Sequence, residues 1–112
     1  MLVFRSQSAD RRQFPRTAAN ARGVVVAPGL EVACVIADTS DGGLKVRLDR
    51  ALVLPARVII VDIAAGLAIE AETAWRQGNE TGLKRRDQAS LKGLVPSRWL
   101  AAREAWTRAG GR

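Results

Sequence analysis

Six short runs of apolar and β-branched residues, separated by turn residues, occupy positions 23–86 of this 112-residue chain. The runs lie at 24–26, 31–37, 44–48, 56–64, 67–76 and 81–86. The turn residues between them include Pro28-Gly29, the stretch DTSDGG at 38–43, Gly66 and Gln77-Gly78-Asn79. Short strands with turns at regular spacing are typical of all-β domains. The chain is therefore predicted to be mainly β, with six antiparallel strands in a barrel or a sandwich.

The segment after Pro96 has helical rather than strand periodicity. One stripe of it consists of Trp99, Ala102, Trp106 and Ala109. Such a stripe predicts an amphipathic C-terminal α-helix whose tryptophans are buried rather than presented to a partner. We expect this helix to cover an open end of the β-structure.

Positive charge is concentrated at the two ends of the chain. The net charge is +7, and 47% hydrophobic with 26% charged residues is an ordinary mix for one globular domain. Residues 1–22 hold five arginines and one aspartate, and residues 84–112 hold eight basic and two acidic residues, whereas residues 23–83 are net acidic. Basic ends favour an anionic partner, although solubility alone explains them equally well.

The composition argues against an enzyme. The chain has no histidine, which removes Ser-His-Asp and Cys-His triads and most zinc sites. It also has no Walker A loop and no G-x-G-x-x-G motif. We therefore expect a non-enzymatic protein that uses neither a metal nor a cofactor.

Cys34 is the one cysteine, so an internal disulfide is impossible. Its place in an apolar strand predicts a buried thiol. No apolar run reaches the roughly 20 residues that span a bilayer. From these observations we expect no membrane span and a cytoplasmic location.

Two short polar motifs remain after the strands and the helix are assigned. The stretch RRQFPR at 11–16 contains Arg-x-x-x-Arg, from Arg12 to Arg16, which is weak evidence in a chain with 15 arginines. Asp38, Ser40 and Gly43 form the rarer pattern Asp-x-Ser-x-x-Gly where two predicted strands meet. Taken alone, the second motif is also compatible with an ordinary turn.

Together the two motifs predict a clamp for a guanine nucleotide. Guanidinium groups form bidentate hydrogen bonds with phosphate and with the O6 and N7 edge of guanine, and they stack on bases. Asp38 can accept hydrogen bonds from guanine N1–H and N2–H2, and Ser40 adds a hydroxyl group. Glycine at position 43 permits close approach of a ring or a backbone.

These motifs, in this order, resemble the PilZ domains of bacteria. The resemblance covers roughly residues 11–86, and AETAWRQGNETGL at 71–83 is similar to the late hairpin of that family. It implies a PilZ-like, six-stranded antiparallel β-barrel. With the strand and helix patterns above, we expect an Arg-rich N-terminal arm at 1–22, the barrel at 23–86, and a linker with the α-helix at 87–112. Two departures from the family pattern are Thr39, at a position that is commonly apolar, and Lys84-Arg85-Arg86, where an aromatic residue usually ends the last strand.

The resemblance further implies a receptor for cyclic di-GMP. The arm would hold phosphate and guanine through Arg12 and Arg16, and the turn would hold the rest of the ligand through Asp38, Ser40 and Gly43. Arg11, just ahead of the arm motif, would stack on a base, which favours a stacked pair of ligands. Ligand binding would change the conformation of the arm and signal to a downstream protein partner, whose identity the sequence does not give.

A second interpretation comes from the basic ends alone. A small basic β-barrel could bind single-stranded nucleic acid or an acidic protein without cyclic di-GMP. The nucleic-acid version needs aromatic stacking platforms, and the chain has only two Phe, three Trp and no Tyr. Nucleic acid is therefore the less favoured partner.

Overall fold

The computed structural model describes residues 20–40 and 42–111, and six antiparallel strands in this part of the chain close into a barrel. The strands are β1 (Ala21–Ala27), β2 (Leu30–Thr39), β3 (Gly43–Arg47), β4 (Arg57–Asp62), β5 (Leu67–Gln77) and β6 (Glu80–Ser90). Their order around the barrel is β1-β2-β3-β6-β5-β4. A short 3-10 helix (Ser97–Trp99) leads into α1 (Leu100–Arg108). The predicted mainly β fold, the six-stranded antiparallel barrel and the C-terminal helix are all confirmed.

The inside of the barrel is filled by every second residue of the strands. Leu44 and Val46, which alternate with Lys45 and Arg47, are buried in this inner cluster. The other buried members are Val25, Cys34, Ile36, Leu48, Leu54, Val58, Ile60, Ile69, Ala71 and Leu83. The two-residue period of a strand therefore explains the alternation in the sequence.

A second hydrophobic cluster lies on the outer wall of the barrel. Val24, Val26 and Val61 belong to it, although Val25 and Ile60 beside them belong to the inner cluster. The remaining buried members are Ala68, Leu91, Trp99, Ala102, Ala105 and Trp106. Strands β1 and β4 are thus buried on both faces, which explains why their sequences are continuously apolar.

The helix covers this outer wall and not an open end of the barrel, so that expectation was wrong. Trp99, Ala102 and Trp106 are buried as the helical stripe predicted, and the Trp106 indole N–H donates to the carbonyl of Ile63 at 2.8 Å. An amphipathic stripe shows that one face of a helix is buried, but it does not identify the surface that buries it. Here the surface is supplied by the outward apolar residues of β1 and β4.

The one cysteine is buried inside the barrel, as its strand context predicted. Burial, with a smaller contribution from the negative charge of Asp62, raises the pKa of the Cys34 thiol to about 12. The thiol is therefore protonated at neutral pH and is a packing residue rather than a reactive group.

The buried hydroxyl group of Thr81 lowers the stability of the barrel. Thr81 is 1% exposed, and its Oγ1 atom has no hydrogen-bond partner among the described residues. We expect Thr81→Val to raise the free energy of unfolding by about 1 kcal/mol, because a valine of similar shape removes an unsatisfied buried polar atom. Thermal or urea unfolding measures the change.

Thr73→Val is the matched control for this substitution. Thr73 donates to the carbonyl of Pro55 at 2.8 Å, so the same change there removes a hydrogen bond and should not stabilise the protein. Equal effects of the two substitutions, or a destabilised Thr81→Val variant, would contradict the assignment of Thr81 as unsatisfied.

Candidate functional site

The Asp-x-Ser-x-x-Gly motif forms the tight connection between β2 and β3. The backbone N–H of Ser40 donates to the carbonyl of Gly43 at 2.8 Å, and the Ser40 hydroxyl donates to the same oxygen at 3.4 Å. A β-bulge interrupts the pairing of β2 with β3 between Ile36 and Asp38. Bulges of this kind re-aim the side chains that follow them. The bulge thus sets the direction of Asp38 at the start of the motif.

Asp38 lies on the outer face of the barrel wall. It pairs directly with Lys45, whose neighbours Leu44 and Val46 point into the core. Directly paired residues of antiparallel strands share one face of the sheet, so Asp38 and Lys45 both face outward. The motif therefore presents its carboxylate on the outside of the barrel, beside a lysine.

The same row of the sheet continues from Lys45 to an exposed tryptophan. Lys45 pairs with Gly82 of β6, and Gly82 pairs with Trp75 of β5. The Trp75 ring lies over Gly82 so closely that a Cβ atom there would overlap it, and 46% of Trp75 remains exposed. An aromatic face consequently lies on the same outer surface as Asp38.

Gly43 is required by the packing of β3 against β6. A Cβ atom at this position would be 2.7 Å from the carbonyl oxygen of Leu83, which is part of the β6 backbone. The close approach that the sequence analysis expected at Gly43 is therefore made by a neighbouring strand. Gly42, by contrast, has no atom of another described residue, its chain neighbours aside, within 4 Å of its ideal Cβ position.

Arg85 connects β6 to the Asp-x-Ser-x-x-Gly motif through several hydrogen bonds. Its guanidinium donates to the carbonyl of Ser40 at 3.0 Å and to the hydroxyl of Thr39 at 2.9 Å, and its backbone N–H donates to the carbonyl of Gly42 at 3.2 Å. A further guanidinium N–H donates to the side chain of Gln88 at 2.5 Å. Arg85 thus holds the end of β2 and the turn against β6.

In the sequence, Arg85 stands out only as a departure from a family pattern, and neither Trp75 nor Lys45 is identifiable as a neighbour of the motif. Nothing in the local sequence shows that these residues meet, because β3 and β6 pair across a long stretch of chain. The one available signal was the predicted hairpin after Trp75, which places Gly82 and Leu83 opposite the end of β5.

The structure brings together the three turn residues of the predicted site, Asp38, Ser40 and Gly43. The three arm residues, Arg11, Arg12 and Arg16, lie outside the described residues. The arm contributions to the site therefore stay predictions.

The chemistry of the described groups suits binding. The turn offers a carboxylate, a hydroxyl and backbone groups, with the cations of Lys45 and Arg85 nearby. Within residues 20–40 and 42–111, no cluster of three or more His, Cys, Asp or Glu side chains is placed to hold a metal ion. Among the same residues, no helix has both the length and the hydropathy needed to cross a bilayer.

The structure combines a closed barrel with a polar turn on its outer surface. Comparison with protein families gives a match to the PilZ domain over residues 10–95. The match covers most of the chain, including both motifs, so the chain belongs to the PilZ domain family. PilZ domains are binding modules rather than enzymes, and the family implies a receptor for cyclic di-GMP. Comparison with curated proteins gives no match.

Proposed function

We propose that this protein is a receptor for cyclic di-GMP, which it holds between the N-terminal arm and the turn from Asp38 to Gly43. The observation that carries the proposal is the assembled turn on the outer wall of the barrel, in a chain of the PilZ family. In this proposal the protein binds the dinucleotide without cleaving it and uses neither a metal nor a cofactor.

The outer surface offers a group for each part of the ligand. The Asp38 carboxylate accepts hydrogen bonds from guanine N1–H and N2–H2, and the Ser40 hydroxyl supplies a further partner. Lys45, opposite Asp38, places a positive charge where a phosphate can lie. The exposed face of Trp75 is available for stacking on a base.

The arm supplies the remaining contacts in this proposal. Arg12 and Arg16 bind phosphate and guanine, because a guanidinium matches both bidentately. Arg11 stacks on a base and supports a stacked pair of ligands. Because the arm gains these contacts only with the ligand present, binding shifts it towards a closed conformation that a downstream protein reads.

The aromatic residues favour this proposal over a nucleic-acid barrel. Trp99 and Trp106 are buried against the outer wall of the barrel. Of the three tryptophans, only Trp75 is substantially exposed. Single-stranded nucleic acid needs successive stacking platforms along a groove. Within residues 20–40 and 42–111, one exposed aromatic ring beside one carboxylate suits a small ligand with few bases.

The proposal is tested by adding cyclic di-GMP to 15N-labelled protein and following the backbone amides. We expect the largest shifts at Thr39, Ser40, Gly42 and Lys45, and little change in α1, since the helix packs on the wall formed by β1 and β4. Shifts confined to α1 or to the basic C-terminal segment would contradict the proposed site.

Arg85→Ala is expected to weaken cyclic di-GMP binding roughly five-fold, because the turn loses hydrogen bonds worth about 1 kcal/mol in holding its shape. Calorimetric titration of the variant measures the change. Arg86→Ala is the matched control, since Arg86 pairs with Glu72 at 3.6 Å and makes no described contact with the turn. If the two substitutions weaken binding equally, the effect of Arg85 is one of charge and the positioning role is wrong.

A further inference from the structure

A second concave surface is formed by β2, by neighbouring residues of β1 and β3, and by the loop that follows β3, and it borders the inner cluster at Cys34 and Leu48. It encloses a cavity of about 670 Å3, which is within the size range of small-molecule sites. Three arginines line it, Arg22, Arg47 and Arg50, together with apolar residues that include Ala33, Val35 and Leu52. The cavity thus combines positive charge with an apolar wall.

The pairing of the strands places two of these arginines in one row, on the strands that flank β2. Val35 of β2 pairs with Arg22 of β1 and with Arg47 of β3. The three side chains therefore share the outer face, with the arginines on either side of the valine. Arg50 joins them from the loop that follows β3.

Two of the three guanidinium groups have no partner among the described residues. Of the ten arginines in the described part of the chain, eight donate a hydrogen bond or form an ion pair with another described residue. The side chains of Arg22 and Arg50 do neither, and both line this cavity. The two described arginines without such a partner thus line the same concave surface, whereas the other eight described arginines are paired.

The local charge balance stays positive when the neighbouring acids are counted. Arg47 forms an ion pair with Glu80, in which the Arg47 Nε lies 3.4 Å from the Glu80 Oε2. Arg47 also donates a hydrogen bond to the side chain of Asn20. Asp49 is the one acidic residue among the described residues that line the cavity. Three guanidinium groups therefore face one lining carboxylate and one carboxylate at the edge.

We propose that this cavity is a second binding site, for a small molecule that carries a phosphate or a carboxylate on an apolar or aromatic body. Guanidinium groups bind both oxyanions bidentately, and Arg22 and Arg50 are available to do so. The apolar wall around Val35 buries the body of the ligand. The site shares no residue with the turn from Asp38 to Gly43, so it does not depend on the proposed binding of cyclic di-GMP.

The test is a titration of the 15N-labelled full chain with phenyl phosphate, benzoate and inorganic phosphate. We expect phenyl phosphate or benzoate to bind saturably with shifts at Val35, Asp49 and Arg50, and to bind more tightly than inorganic phosphate. The tighter of the two identifies the preferred oxyanion. Absence of saturable binding up to about 10 mM, which corresponds to less than roughly 3 kcal/mol, would overturn the proposal. Equal binding of inorganic phosphate would overturn the role of the apolar wall.

Two variants make the test specific. Arg50→Ala changes a loop side chain outside the strands. It is expected to weaken binding of the tighter ligand about five-fold or more, because a charged hydrogen bond is lost. Arg76→Ala removes the same charge from the exposed end of β5 and should leave the binding unchanged. An equal loss in Arg76→Ala would show non-specific attraction and overturn the site. Repeating the titration with cyclic di-GMP present should preserve binding, and displacement would show that the two ligands share one site.

Discussion

Replacing Arg16 with alanine is expected to abolish cyclic di-GMP binding while the barrel stays folded. In the proposed complex, Arg16 forms charged, bidentate hydrogen bonds with phosphate or guanine. Loss of such a contact at the centre of a binding site costs about 2–4 kcal/mol, which is roughly a 30- to 1000-fold loss of affinity. The two hydrophobic clusters of the described residues are formed without Arg16, so stability should be unchanged.

Calorimetric titration and thermal unfolding of the same Arg16→Ala sample separate these two effects. Arg5→Ala is the control, because it removes one arginine from the same N-terminal segment outside the motif. We expect Arg5→Ala to bind cyclic di-GMP with wild-type affinity. Wild-type affinity in Arg16→Ala would exclude this residue from the site, and an unfolded Arg16→Ala variant would show that the arginine is structural.

The second large effect is expected for Gly43→Ala. A methyl group at this position would meet the carbonyl oxygen of Leu83 at 2.7 Å, and the obstacle is backbone that cannot rotate away. Strand β3 must move from β6, which we expect to cost about 1–3 kcal/mol of stability, as overpacking typically does. The same movement displaces Ser40, since its N–H bonds the carbonyl of Gly43, so cyclic di-GMP binding should fall as well.

Gly42→Ala is the matched control, one residue earlier in the same turn. Its Cβ atom would have open space within 4 Å, so its stability should stay within about 0.5 kcal/mol of wild type, as is usual for surface changes. Denaturant unfolding of both variants measures the difference. If Gly43→Ala is as stable as Gly42→Ala, the contact between β3 and β6 is not what requires glycine at position 43.

The strands and the helix were predictable because each has its own period in the sequence. Leu44 and Val46 alternate with charged residues, and Trp99 and Trp106 recur at helical spacing; the structure buries all four. The position of the helix was not predictable in the same way. It depends on the outward side chains of β1 and β4, which the sequence shows only as continuous apolar runs.

The candidate site likewise contains some residues that were predictable from the sequence and others that were not. Asp38, Ser40 and Gly43 were found together because they are close in the chain and form one turn. Arg85 and Trp75 reach this region only through the pairing of β6 with β3 and β5, which no local pattern specifies. The cavity lined by Arg22, Arg47 and Arg50 likewise draws on β1, β3 and the loop that follows β3. The local motif therefore identifies the turn, whereas the residues beside the turn are known only from the pairing register of the strands.

The most direct test of the central claim is calorimetric titration of cyclic di-GMP into the purified full chain, with GTP as the control nucleotide. We expect saturable binding of the cyclic dinucleotide alone, and the placement of Arg11 predicts a stacked pair of ligands on each chain. Binding of a single ligand would correct the role of Arg11 and leave the receptor in place. Absence of heat and of a thermal shift, in protein whose circular dichroism shows a folded barrel, would contradict the receptor function itself.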